Sequence, residues 1–134
     1  MTTLQRRPQA HRGQHRIAAV MAMEAASLAL MSFLHLTGIH AGSSKPSNPS
    51  HAGIAEAIIC LALVAGATSL RRGSPSARVT APATIGFAIF GFMIGLYFTV
   101  QAGDVIDVAY HAAVLPLLAL TLLALLRTPT RSQP

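Results

Sequence analysis

Charge is scarce in this chain: Asp, Glu, Lys and Arg together make up only 10% of its 134 residues. A soluble domain carries roughly 25%, because its outside must be wetted. Here long stretches hold no charge and the charged residues gather between them, a pattern that lipid demands and an ordinary soluble domain does not show. Acids are the rarer sign, four against ten Lys and Arg, for a formal net charge of +6. Aromatics amount to 5%, with no Trp, and do not accompany the arginines. A base-stacking nucleic-acid surface is thereby excluded, and anchoring at a membrane surface is the better reading. The single cysteine, Cys60, excludes an intrachain disulfide and any CxxC chemistry. Set in an apolar segment, it reads as a small packing residue. A Gly-rich phosphate loop, a nucleophile with its base and a nucleotide-binding pattern are also missing, which argues against an enzyme and calls for no cofactor.

What the chain does have is apolar length. Hydrophobic residues make up 52%, and mean hydropathy is +0.53. Four stretches, at about 17–39, 52–70, 79–100 and 107–126, come to the roughly 20 residues needed to cross about 30 Å of hydrocarbon. Backbone N–H and C=O groups in lipid must bond within their own segment, so each stretch is expected to be a helix. The expected fold is all-α, a four-transmembrane-helix bundle. A polar stretch at 42–50, with Lys45, Pro46 and Pro49, is expected to be a loop; Arg71, Arg72, Gly73 and Pro75 mark a basic turn, and Gly103 with Asp104 an acidic one. Pro82 is expected in the first turn of the third helix, where a missing N–H costs little. Residues 1–16 are expected to be a disordered basic tail, and 127–134 a second tail.

The arginines predict which way the bundle faces. Arg6, Arg7, Arg12 and Arg16 precede the first span, Arg71, Arg72 and Arg78 follow the second, and Arg127 and Arg131 follow the fourth; the other two loops hold only Lys45. The split predicts both termini on the cytoplasmic side. Nine arginines to one lysine, with abundant alanine, fit GC-rich bacterial coding, which makes the expected location a bacterial plasma membrane. A cleaved signal peptide is the competing account of the first span. Its apolar stretch is longer than the usual 7–15 residues and contains Glu24 and His35, so a retained span is expected.

Small residues recur at the spacing that lets membrane helices approach: Ala18, Ala22 and Ala26, then Ala62 and Gly66, then Gly91 and Gly95. Packing within the chain is expected over a dimer interface. Pro116, in mid-span, is expected to free the carbonyl of Ala112 beside His111 and to make that level a cavity wall.

Ionisable groups inside spans cost about 2.5–3.5 kcal/mol at the centre on insertion scales, so their positions are informative. Glu24, Leu28, Met31 and His35 share one face of the first helix, which is expected to point inward. His35, Glu56, Tyr97 and His111 each lie about one turn beneath the outer surface, one on each span, with His40, His51, Asp104, Asp107 and Tyr110 just above. Three readings are open for this layer. It could be a structural network built on a Glu56–histidine bond, a pocket for a small polar solute, a proton or a quinone head group, or a metal site on His35, Glu56 and His111. His and Glu titrating together there would make function change between roughly pH 5 and 7. Glu24, two turns above the inner surface, has no basic residue at its depth; Thr84 and Thr121 are the nearest polar candidates, and the carboxyl is expected to keep its proton.

At Gly53-Ile54-Ala55-Glu56-Ala57, followed by an aliphatic and small run and then Arg71-Arg72, the chain resembles the DoxX-like group of small four-helix bacterial membrane proteins. The second half, from Gly86-Phe87 through Gly103-Asp104 to Tyr110-His111 and Leu115-Pro116, resembles small bacterial integral membrane proteins. The resemblance implies a four-helix bundle, Glu56 as a candidate functional position, and a group in which some members associate with membrane redox enzymes. The function expected is that of an accessory or structural subunit of a membrane complex. The alternatives are a small solute or proton-coupled transporter acting as a homo-oligomer, and a metal- or quinone-binding redox subunit. The partners expected are the bilayer and a membrane protein or further copies of the chain.

Overall fold

The structure, a computed structural model, describes residues 7–40 and 49–128. Lys45, Arg6 and Arg131, and most of the loop expected at 42–50, lie outside the described residues. Four helices follow one another: α1 (Arg7–Leu36), α2 (Pro49–Arg71), α3 (Ala77–Ala102) and α4 (Val105–Arg127). All four are long and apolar enough to cross a membrane. They overrun the expected spans at most ends. The basic tail expected to be disordered continues as α1 from Arg7, and Pro49 takes the first position of α2, where its missing N–H is no loss. Because α3 starts at Ala77, Pro82 lies inside the helix and not in its first turn.

Contacts between helices show them alternating in direction. The end of α1 meets the start of α2 at His35 and Glu56, and α1 at Glu24 meets the far end of α4 at Thr121. Each helix packs on the next, and a smaller α1–α4 seam closes the ring. Arg16, Arg71, Arg72, Arg78 and Arg127 are exposed and share one end, called here the arginine end.

Lipid competes equally for apolar side chains, so the bundle depends on close fit and buried polar contacts. Met21, Leu28, Leu63, Ile85 and Leu118 are fully buried at its centre. Gly66 lets α2 lie against Thr84 and Met21, where a Cβ would overlap both. The Gly91/Gly95 pair also works within the chain: Gly91 receives Ile59, and Gly95 receives the ring of His111. On α1 only Ala18 of the expected small stripe is buried; Ala22 and Ala26 face outward. The inward face of α1 instead carries Glu24, Leu28, Met31 and His35, as their spacing predicts, together with Met21. Pro116 and Ala112 both face outward as well, so that level of α4 forms no cavity wall. The outer surface is a belt of exposed Leu, Ile, Val, Met and Phe, including Phe33, Leu61, Phe90 and Leu120.

Candidate functional site

At the end opposite the arginines, two glycine turns assemble a cluster of acids and histidines. Gly103 closes α3 with φ +72°: its N–H bonds the carbonyl of Val100, and the next N–H, of Asp104, bonds that of Thr99. This is the paired bond pattern of a left-handed helix stop, which glycine adopts without a Cβ penalty. Asp104 then caps α4, its Oδ1 accepting from the N–H groups of Ile106 (3.0 Å) and Asp107 (3.1 Å). The short joint thus fixes Asp107 on the first turn of α4, facing inward. At the end of α1, Gly38, also at φ +72°, turns the chain back, and the His40 N–H bonds the carbonyl of Leu34. His40 lands beside His35, ring centroids 5.3 Å apart.

On the α2 side the helices touch closely. A Cβ on Gly53 would stand 2.7 Å from Leu36, and Ser32 Oγ donates to the Gly53 carbonyl at 2.7 Å. One turn on, Glu56 meets His35: Nδ1 lies 2.8 Å from Glu56 Oε2, and both residues are buried. The carboxylate accepts, so Nδ1 carries the hydrogen and Nε2 is turned to Asp107, 3.3 Å from its Oδ2. His40 Nε2 lies 3.3 Å from both Asp104 Oδ2 and Asp107 Oδ1. Neither contact is aligned as a hydrogen bond, and His40 Nε2 and Asp107 Oδ1 are buried without a hydrogen-bond partner. The centre is therefore three acids, Glu56, Asp104 and Asp107, around two imidazoles. Every Lys and Arg among the described residues lies toward the other end.

The four residues expected to form one layer meet different fates. His35 and Glu56 come together. His111 is buried next to the cluster but points elsewhere: its Nδ1–H donates to the Asp107 carbonyl at 2.8 Å, and its ring rests on Gly95 and Phe92, 4.9 Å between centroids. The expected metal set of His35, Glu56 and His111 is corrected accordingly, since their free donor atoms do not converge. Tyr97 is corrected too, being 63% exposed on the outward side of α3 against Phe98. Asp107 and His40, placed above the layer by counting, belong inside it. The signal for Asp107 was local: a Gly-Asp cap followed three residues later by a second acid, with His111 four residues further on the same helix face.

Glu24 sits in a separate, deeper site. Thr121 Oγ1 lies 2.7 Å from Glu24 Oε1 and 2.9 Å from the carbonyl of Leu117. Glu24 accepts from the Thr121 hydroxyl through Oε1, while its Oε2 is buried without a hydrogen-bond partner. Between the two sites, Leu28, Ile59, Leu63, Phe92, Val114 and Leu118 fill the interior. Along the α1–α4 seam between them, the Ser27 and Tyr110 hydroxyls are 3.2 Å apart.

No protein-family model matches the chain, and no similar curated protein or solved structure is found.

Proposed function

We propose that the chain is an accessory subunit of a bacterial plasma-membrane complex, with both termini cytoplasmic and the acid–histidine cluster facing outward as its working site. The observation that carries this reading is the confinement of the cluster to one end, above an interior filled by Leu28, Ile59, Leu63, Phe92, Val114 and Leu118. Such a bundle holds a site in place; it does not enclose a lumen. Concentrating this many ionisable groups at membrane depth is costly and marks a functional position. The arginine distribution supports the orientation. Glu56, the position singled out by the DoxX-like resemblance, is the hydrogen-bond partner of His35, which supports a role in that site.

A partner helix has a surface to meet. Phe87, Phe90, Ile94 and Tyr97 recur at three- and four-residue spacing on the exposed side of α3, the least covered of the four helices. The test places a photo-crosslinking residue at Phe90 in native membranes, followed by mass spectrometry of the products. A cross-link to one other polypeptide is the expected result; products of chain with chain alone, or none, overturn the accessory reading. A proton-coupled transporter built from several copies is the second reading, favoured by the polar ladder His35–Asp107, Ser27–Tyr110 and Glu24–Thr121 on the α1–α4 seam.

A further inference from the structure

We infer that the cluster at the arginine-free end is a binding site for a divalent first-row transition-metal ion, held by His35 Nε2, His40 Nε2 and the Asp107 carboxylate. The inference rests on reading the cluster as the working site and names the ligand that site takes. Donor atoms of these three residues all lie within 4.8 Å of one another. Their spacing separates two kinds of contact. His35 Nδ1 and Glu56 Oε2, at 2.8 Å, are at charge-assisted hydrogen-bond distance. The three contacts turned toward the centre, His35 to Asp107, His40 to Asp107 and His40 to Asp104, are all 3.3 Å. His35 to Asp107 is a long hydrogen bond, and the two His40 contacts are not aligned as hydrogen bonds at all. With donor atoms of His35, His40 and Asp107 all within 4.8 Å of one another, small side-chain adjustments bring them onto one ion at metal–ligand bonds of about 2.0–2.2 Å.

Two further observations point to a cation. Asp107, 6% exposed, keeps Oδ1 buried without a hydrogen-bond partner, and His40 Nε2, which faces it, is likewise unpartnered. Buried polar atoms left unsatisfied cost about 1–3 kcal/mol each, and a metal ion bonded to both removes that cost. Charge balance agrees. Three carboxylates converge with no Lys or Arg beside them among the described residues, and a divalent ion supplies the missing positive charge. The surroundings are also those of a ligand shell. A metal-bound histidine characteristically gives its other ring N–H to a carboxylate, as His35 does to Glu56. Asp104 holds the first turn of α4 through its Oδ1 and turns Oδ2 to the rim of the site. Two imidazoles and one carboxylate suit zinc or ferrous iron, and leave a fourth position open.

The experiment uses the full chain purified in detergent without a polyhistidine tag, dialysed against zinc chloride and then against metal-free buffer. Bound zinc is counted by mass spectrometry, and cobalt is substituted to read the visible d–d bands of a four-coordinate site. The expected result is one zinc per chain in the parent and in His51→Ala, whose side chain is exposed outside the cluster. Affinity falls at least tenfold in His40→Ala and Asp107→Asn, and about 10–100-fold in Glu56→Gln, which keeps the three ligands but weakens the support of His35. A parent chain that retains no zinc overturns the inference, and needs no variant to be folded. Equal zinc in the parent, His40→Ala and Asp107→Asn overturns it as well. The Phe90 cross-link is read without added metal, so failure of the metal site and failure of the accessory reading are told apart.

Discussion

Gly95 and Gly86 occupy the same helix and differ only in what lies beside them. A Cβ on Gly95 would overlap the His111 ring, whereas one on Gly86 would meet nothing within 4 Å. Gly95→Ala is therefore expected to destabilise the bundle by about 1–3 kcal/mol through overpacking. Gly86→Ala should be neutral or slightly stabilising, since alanine favours helix by up to about 1 kcal/mol. Unfolding of both variants in detergent micelles checks the pair, and equal destabilisation would show that His111 is not seated on α3. Glu24 makes a second residue-scale case. An amide keeps an oxygen to accept from the Thr121 hydroxyl, so Glu24→Gln should unfold within about 1 kcal/mol of the parent. Glu24→Ala, which empties a buried volume, should lose about 2 kcal/mol or more. A large loss in the glutamine variant would mean that the carboxyl carries a charge.

Among the elements, the α1–α4 seam is the one held most by polar contacts, because these two helices touch least. The Ser27–Tyr110 pair tests this. Tyr110→Phe and Ser27→Ala should each cost about 0.5–1 kcal/mol, the usual size of an interhelical hydrogen bond in a membrane protein. The double variant should cost no more than the larger single one, since the contact is shared. Additive losses would show that the two hydroxyls do not bond each other. The helix ends teach a further point about legibility. Capping chemistry at Gly103 and Asp104 was readable, because it needs only neighbours in sequence. Asp107 joins the cluster because the Asp104 cap sets where α4 starts and which face of its first turn points inward.

For the whole molecule, antiparallel order puts the start of α1 and the end of α4 at the arginine end, and the proposed topology makes that end cytoplasmic. In a Cys60→Ala background, His51→Cys should react with a membrane-impermeant thiol reagent in intact cells. Arg72→Cys should react only after the membrane is opened. The reverse pattern would invert the bundle and move the cluster to the cytoplasmic side.

The number and helical form of the long apolar segments followed from the linear chain, because lipid imposes its thickness and its ban on unpaired backbone polar groups on each segment separately. The inward face of α1 was readable for the same reason, since its Glu24 and His35 share a helical period with Leu28 and Met31. Which polar groups meet was another matter. Tyr97 and His35 stand at similar depths, yet the rotation of α3 turns Tyr97 out to the belt, and rotation is settled by how all four helices pack. His40 enters the site only because Gly38 sends the chain back over the end of α1. Convergence of donors from α1, its following turn and α4 depends on relative positions across long stretches of sequence, and those were decided by the tertiary structure alone.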